Sequence, residues 1–434
     1  MKICFLNFEG APTTEAAVNN KIGGLNTILF NLLKYVSLLP GVEARAVYRI
    51  NDTEPECCSR DERCIPIRME KSIFNLDEYL VEYAASVDCL FRATPFDIVH
   101  TSGSEAGMVM YHVRRNGMSV PWVHTNYATL SVRKVVVEGM SRTTASSDSV
   151  GNRESICLQT CDHVIALSNV DSREINAVFD IPLQKISVVT PGIDRDIFYP
   201  PQENRKRAPV IITAGRMSEI KDFPFLMRSF RLLVESSPVE GLKLLIIGGN
   251  NKERESLGLP SLAKSLGIDN RIVFQDGVSQ KNLAEQFRAA SVFAGTSMHE
   301  TFGLLPVEAR ACGTPFVVRF NSSYVSTAED SFGGYFSDNN SEADMAQKLG
   351  LILNLDEQGW LQMSGNAVRS TERLVGQPLP NPVLRFMKKL PYRTNKRPDI
   401  FLRFRSLFYL LTDFIYLIAF SILSGSHSIS KYPI

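Results

Sequence analysis

The sequence lacks an excess of charge of either sign. Lys and Arg total 47 against 46 Asp and Glu, a net charge of +1, so no chain-wide basic field draws it to nucleic acid. No paired Cys-x2-Cys spacing occurs among its eight cysteines. Cys57, Cys58 and Cys64 share a polar stretch, and Cys157 and Cys161 stand one helical turn apart. That pattern argues against a zinc site and favours reduced, mostly buried thiols in a cytosolic chain. No signal-peptide pattern is read at the start: the first apolar run, residues 3–8, is too short for an h-region with a cleavage site. A cytoplasmic location is the expectation. No Asp-x-Asp pair stands where a metal would be useful. Asp194-Arg195-Asp196 has the letters, but it lies near a domain junction, where a structural role is expected. Long apolar runs are also missing until residues 407–423.

What is present is enough apolar material for two cores. Hydrophobic residues make up 44% of 434, and that length suits two domains. Strands are expected at residues 3–8, 44–48, 98–100, 122–124 and 164–166, with an amphipathic segment at 25–39 opened by Gly23-Gly24. Residues 138–152 read as a mobile polar loop, and an amphipathic segment begins at Arg153-Glu154 and runs to 165. A charged, Pro-marked linker follows at 200–207, after which the alternation restarts. Strands are expected at 210–214, 244–247, 272–274, 292–294 and 316–318, and helices at 225–234, 261–266 and 306–311. Strands alternating with helices imply mainly parallel sheets covered on both faces. The fold class is α/β, with two Rossmann-like domains facing across a cleft, at 1–196 and 208–375. A basic linker (376–406) and a hydrophobic helix (407–423) are expected to follow.

The most informative block is Ser297 to Ala309. Glu300 and Glu308 stand eight positions apart, with a Phe302-Gly303 turn between them and a helix start after it. Backbone N–H groups at Phe302, Gly303 and Leu304 would then leave a helix N-terminus, an end that attracts anions. This suits a ligand with a diphosphate in the middle and hydroxyl-rich groups at both ends, as in a nucleotide sugar. Arg216 and Lys221 follow a strand and offer a planar fork and a point charge for phosphate; the alternative is a pair of solvated surface cations. Gly23 and Gly24 would let backbone approach a ligand, although ordinary turns use the same pair. His124 ends a strand and would face the cleft to bind sugar or acceptor hydroxyls, unless it is structural. Arg153 either reaches into the cleft or forms a helix-start charge pair. With two cations and a helix end beside the diphosphate, no metal or cofactor is needed.

These blocks together resemble the large retaining glycosyltransferase family that carries a Glu-x7-Glu motif on a two-Rossmann-domain (GT-B) scaffold: family 4, group 1. The resemblance covers roughly residues 1–375. It rests on Phe96 to His100, Pro191 to Asp194 with Phe198 and Pro200, Gly215-Arg216 with Lys221, Ile247 to Gly249, Val273 to Val278, and Ser297 through Pro315. The His124-Thr125 block, with Leu130 and Arg153-Glu154, is similar to the branch containing sucrose synthases and sugar–inositol transferases. The resemblance implies that Gly23 and Gly24 approach donor phosphates and acceptor, and that Arg216 and Lys221 neutralise the diphosphate. Glu300 would contact the donor sugar, Glu308 the ribose, and His124 would help position the sugar. It also implies retention by a front-face mechanism, with a UDP-sugar favoured over a GDP-sugar as donor. Three departures stand out. Tyr127 replaces a second histidine, Asn321-Ser322-Ser323 replaces a Gly-rich turn, and a Pro-marked, basic and then apolar tail replaces a crossover helix.

Eight basic residues and one acid, Asp399, lie between Arg385 and Arg405. They precede a 17-residue run, 407–423, whose only charge is Asp413. That run sits at the lower limit for a membrane span, and basic residues before it would meet an anionic cytoplasmic surface. A membrane anchor, a buried crossover helix and an oligomer contact all remain open. An anchor would point to a lipid-linked glycan or glycolipid as acceptor. Besides a hexosyltransferase, two other classes are weighed: a non-catalytic GT-B partner subunit that binds nucleotide or glycan, and an epimerase or phosphorylase. The complete set of Arg216, Lys221, Glu300 and Glu308 favours the transferase.

Overall fold

The computed structural model describes residues 1–372 apart from 9–28, 30–31, 34–35, 39–40, 52–61, 70–74, 128, 202–206, 237–238, 328–332 and 339. Gly23, Gly24 and the 376–423 tail therefore lie outside the described residues.

Short apolar runs form the strands, and they are buried on both faces because helices cover each sheet. The first sheet contains β1 (Lys2–Asn7), β2 (Glu43–Asn51), β3 (Cys64–Met69), β4 (Ile98–Ser102), β5 (Trp122–Thr125), β6 (His163–Ala166) and β7 (Ile186–Val188). Their order is β3-β2-β1-β4-β5-β6-β7, parallel throughout. The second contains β8 (Ala208–Ala214), β9 (Lys243–Ile247), β10 (Ile272–Gln275), β11 (Ala290–Gly295), β12 (Phe316–Arg319) and β13 (Gly334–Ser337). Its order is β10-β9-β8-β11-β12-β13, again parallel. Both sheets show the doubly wound order, with a switch point between β1 and β4 and another between β8 and β11. Ligands bind beyond the carboxyl ends of strands at such points.

Each domain has its own core. In the first, Trp122, Tyr83, Val109 and Phe91 pack on one face of the sheet, and Phe5, Tyr48, Leu29 and Leu33 on the other. The spacing of Leu29, Leu33 and Val36, all buried, agrees with the amphipathic segment expected there. In the second domain Phe230, Leu244 and Trp360 fill one face, and Phe198, Phe287, Phe293 and Phe316 the other.

Two expectations need correction. Residues 138–152 are not a loop throughout: helices span Arg142–Ala145 and Ser149–Thr160. Ser141 caps the first by accepting from the Thr144 N–H, and Asp148 caps the second by accepting from the Gly151 N–H. The polar residues that read as a loop are thus in part N-caps. The segment begun at Arg153-Glu154 ends at Thr160 rather than 165, because Cys161 leaves helical geometry and β6 begins at His163.

Candidate functional site

The loops that leave β8 and β11, on either side of the switch point, build the site. After β8 the chain turns at Gly215, whose N–H donates to the Ile247 carbonyl at 3.0 Å. Gly248 (φ 133°) stands so close that a Cβ there would lie 1.9 Å from the Gly215 carbonyl oxygen, so only glycine fits. Arg216 is exposed and forms no ion pair among the described residues. A short 3-10 turn, Glu219–Lys221, then delivers Lys221 inward.

That turn is fixed from below. Asp222 adopts the left-handed region, φ 47°, and its Oδ2 accepts from Arg319 Nη1 at 2.8 Å. Its Oδ1 caps the next helix, Phe223–Ser236, by accepting from the Phe225 N–H. The Arg319 guanidinium lies 4.0 Å over the Phe225 ring and also donates to the Thr296 carbonyl at 3.3 Å. Thr296 Oγ1 donates to the Lys221 carbonyl at 2.8 Å, and the Met298 N–H donates to the Ile220 carbonyl at 2.9 Å. The two loops are thereby stitched together.

The result is a close pair: Lys221 Nζ lies 2.5 Å from Glu300 Oε1, with side chains 17% and 20% exposed. Burial pushes the Glu300 carboxyl up. The Lys221 charge and hydrogen bonds from Lys221 and Ser297 outweigh burial, and the net shift is downward. Glu300 is therefore ionised at neutral pH. The Tyr324 hydroxyl lies 3.5 Å from the same oxygen, and Ser323 Oγ donates to the Glu300 carbonyl. Asn321 receives the Tyr324 N–H at 2.9 Å and donates to the Ser297 carbonyl at 3.1 Å. A small cavity lined by Thr213, Lys221, Thr296, Ser297, Leu305 and Tyr324 adjoins this pair.

Gly303, φ 87°, starts the helix Leu304–Ala311 and offers no side-chain cap, so the first-turn N–H groups stay free for an anion. A Cβ on Gly303 would meet the Tyr324 ring at 2.6 Å. Phe302 is buried, packing with Leu167 and Val307. Glu308 lies on the same helix. Burial raises its carboxyl to about 7, close enough to neutrality to donate as well as accept a hydrogen bond.

In the first domain His124 ends β5 as expected, but it has no exposed surface. The expectation that it faces the cleft is corrected. Its ring lies under the helix Gly103–Arg115, where a Cβ on Gly107 would come 2.9 Å from Cε1. Nδ1 is 2.7 Å from Thr101 Oγ1, and Nε2 has no partner among the described residues. Burial, with help from His100 and Lys185, lowers its pKa to about 3, so the imidazole is neutral. Arg153 also turns inward: it is buried, with Nη1 3.4 Å from Asp77 Oδ1. Glu154 does not pair with it. The Glu154 carboxylate accepts from the Leu130 and Ser131 N–H groups at 2.7 and 3.0 Å, holding the helix Leu130–Val136. Among the described residues no group of three or more His, Cys, Asp or Glu is arranged to hold a metal.

The structure brings Lys221, Glu300, Phe302, Gly303 and Leu304 together. The sequence reading missed Tyr324, Asp222, Arg319 and Thr296, which fix that arrangement. Its one pointer to them was the departure at Asn321-Ser322-Ser323.

Comparison with known proteins bears on the family and the fold. Residues 22–197 match the Glycosyltransferase Family 4 profile, and residues 194–364 match the profile of Glycosyl transferases group 1. The D-inositol 3-phosphate glycosyltransferase of Mycolicibacterium smegmatis is 27% identical over 269 residues, 60% of each chain. That of Mycobacterium bovis is 28% identical over 257 residues, 56% of this chain and 52% of the other. The alignments thus span about half to three-fifths of these relatives' length. Among solved structures, sucrose-phosphate synthase from Thermosynechococcus elongatus superposes with a TM-score of 0.70 at 18% identity, covering 86% of this chain and 94% of that one. Anabaena HepE in complex with UDP and glucose gives 0.66 at 17%, covering 86% and 95%. At these identities the likeness establishes the two-Rossmann-domain GT-B fold. The two profiles run end to end across both domains, and the chain belongs to the group 1, family 4 glycosyltransferases.

Proposed function

We propose that this chain is a retaining, metal-independent hexosyltransferase that moves a sugar from a nucleotide-diphosphate donor to an acceptor hydroxyl. The observation that carries the reading is the Lys221–Glu300 pair, set at the switch point beside a helix N-terminus with free N–H groups. A cation and a carboxylate in contact suit the junction between a diphosphate and a sugar. Lys221 and Arg216 take the phosphates, with backbone N–H groups at Phe302, Gly303 and Leu304, while Glu300 accepts from sugar hydroxyls. Glu308, poised near neutrality, takes the ribose hydroxyls. We assign Gly23 and Gly24 to close backbone approach, and give His124, buried beneath the helix Gly103–Arg115, no contact with the sugar.

In this reading the bond from the anomeric carbon to the diphosphate oxygen breaks first, with the developing negative charge held by Lys221 and Arg216. The acceptor oxygen bonds to the same face of that carbon. Its proton passes to the departing phosphate oxygen, so configuration is retained and no protein base is required. A UDP-sugar is the favoured donor, supported by the UDP and glucose in the HepE complex, and a GDP-sugar is the alternative. The acceptor is a glycan or a lipid-linked glycan. The basic segment and apolar run of 376–423 would hold the enzyme at the cytoplasmic face of a membrane. Among the described residues no helix is long and apolar enough to cross one.

Thermal unfolding with a panel of nucleoside diphosphates and their sugars tests the donor assignment. A ligand at a hundred times its Kd stabilises the fold by about 2.7 kcal/mol. A shift with uridine diphosphate compounds alone is the expected result, and no shift with any of them sinks the reading. For the tail, truncation after residue 400 should release the protein from membranes; a truncated form that still pellets with them would refute the anchor.

A further inference from the structure

The segment that carries Glu300 runs between the two domains, and its contacts alternate. Met298 donates its N–H to the Ile220 carbonyl, and Glu300 meets Lys221 and Tyr324, all in the second domain. The residues between and after them turn to the first. His299 Nε2 lies 3.0 Å from Glu174 Oε2, with side chains only 9% and 12% exposed. Thr301 Oγ1 donates to the Tyr127 carbonyl at 2.9 Å, and the Thr301 carbonyl accepts from Ser168 Oγ at 2.8 Å. Phe302 then buries its ring against Leu167. The residues flanking Glu300 are therefore anchored in one domain while Glu300 serves the other.

Two of the first-domain anchors share one element. Ser168 caps the helix Asn169–Phe179 by accepting from the Asp171 N–H at 3.0 Å, and the same hydroxyl donates to Thr301. Glu174 follows on that helix. Asp171, buried beneath, has its carboxyl raised to about 7 by burial, with Glu174 adding to the rise and His299 opposing it. His299 thus enters a patch holding two acids.

We propose that Glu174 and Ser168 are positioning residues for Glu300: docking of the first domain's helix on His299 and Thr301 sets the carboxylate that holds the donor sugar. The second domain alone can take the nucleotide and diphosphate, but the sugar-facing carboxylate is fixed only when the first domain is seated. Acceptor site and donor chemistry are thereby coupled. This rests on the reading of Glu300 as the sugar-binding carboxylate.

The test uses the full chain as wild type, Glu174→Ala and Glu174→Gln. The glutamine keeps an oxygen that accepts from the His299 N–H. Amide hydrogen exchange followed by mass spectrometry, without any ligand, should show residues 298–301 losing protection in Glu174→Ala and retaining it in Glu174→Gln. The helix Glu342–Leu353, remote from this contact, serves as the control. With UDP-glucose as the probe and water as the acceptor, read as release of UDP, Glu174→Ala should lower kcat on the order of 10²-fold, while the Kd for UDP stays within about twofold because the nucleotide site is not touched. Thr301→Val, which removes only the hydroxyl given to Tyr127, should produce the same pattern more weakly and serves if Glu174→Ala does not fold. Wild-type exchange in the loop of Glu174→Ala overturns the proposal, and so does a loosened loop with unchanged kcat. If wild type does not hydrolyse UDP-glucose, glucose is not the sugar this site takes, and the exchange experiment by itself decides whether Glu174 holds the loop.

Discussion

Replacing Lys221 by methionine removes the ammonium 2.5 Å from Glu300 Oε1 and leaves the carboxylate among the same neighbours. At that separation, with an effective dielectric near 20, the attraction is roughly 7 kcal/mol. Desolvating two ions opposes it by several kcal/mol, and both side chains keep some contact with water. The surplus read as coupling should be about 1–3 kcal/mol. In Lys221→Met, burial acts on Glu300 without its main counterweight, so the carboxyl should rise. The assay is a double-mutant cycle by urea denaturation at pH 7, using wild type, Lys221→Met, Glu300→Gln and the double variant. Lys221→Met alone should be the least stable of the four, and adding Glu300→Gln should recover stability because the stranded charge is gone. Single effects that add to within about 0.5 kcal/mol would mean that the two groups do not interact in solution. The electrostatic account of the site would then fall, whatever the enzyme's substrate.

Three further outcomes follow from particular contacts. Gly303→Ala must hold φ 87° with a Cβ 2.6 Å from the Tyr324 ring; it should cost roughly 2–5 kcal/mol, measurable as a lower urea midpoint, and an unchanged midpoint would show that the turn relaxes freely. Arg310 is fully buried and donates to the Pro306 and Thr327 carbonyls and to Ser370 Oγ, so Arg310→Ala should cost about 3–5 kcal/mol; a loss under about 1 kcal/mol in the same assay would mean that water replaces all three bonds. Asp171 has its folded value raised to about 7 from 3.8, so the folded state binds the extra proton between those values and wild-type stability falls as pH rises through that window. Measured against Asp171→Asn, the wild type should lose at most about 4 kcal/mol between pH 4 and 7 and nothing further above it; a wild type that gains stability relative to Asp171→Asn as pH rises would reverse the sign and refute the burial argument.

The sequence showed some elements plainly and hid others for physical reasons. Central strands such as β8 and β11 are covered on both faces, so each appears as an unbroken apolar run. Three of the edge strands are different: β3 alternates half-buried and exposed residues between buried ends and contains Pro66, β7 is three residues long, and β13 begins with glycine. None carries enough apolar length to stand out from a loop. Glu300, Gly303 and Glu308 were legible because one turn and one helix hold them within a few residues. Lys221 was legible as a cation after a strand, although its partner 79 positions later was not.

Side chains that make the site rigid have no local signature at all. Arg319 reaches Asp222 across 97 positions, and His299 reaches Glu174 across 125. In sequence each is an ordinary charged or polar residue, and only the parallel stacking of β8, β11 and β12 brings the first pair together. His124 illustrates the converse. Its place at the end of β5 was read correctly, but strand position does not specify orientation when both faces of a sheet are covered. The space left by Gly107 in the overlying helix decides that the ring turns inward. The ligand-facing chemistry of this fold is thus written in short segments after strands, whereas its geometry is set by partners that only the folded chain brings into register. The same division explains why Glu300 can be found from its motif, while what holds it in place comes partly from the other domain.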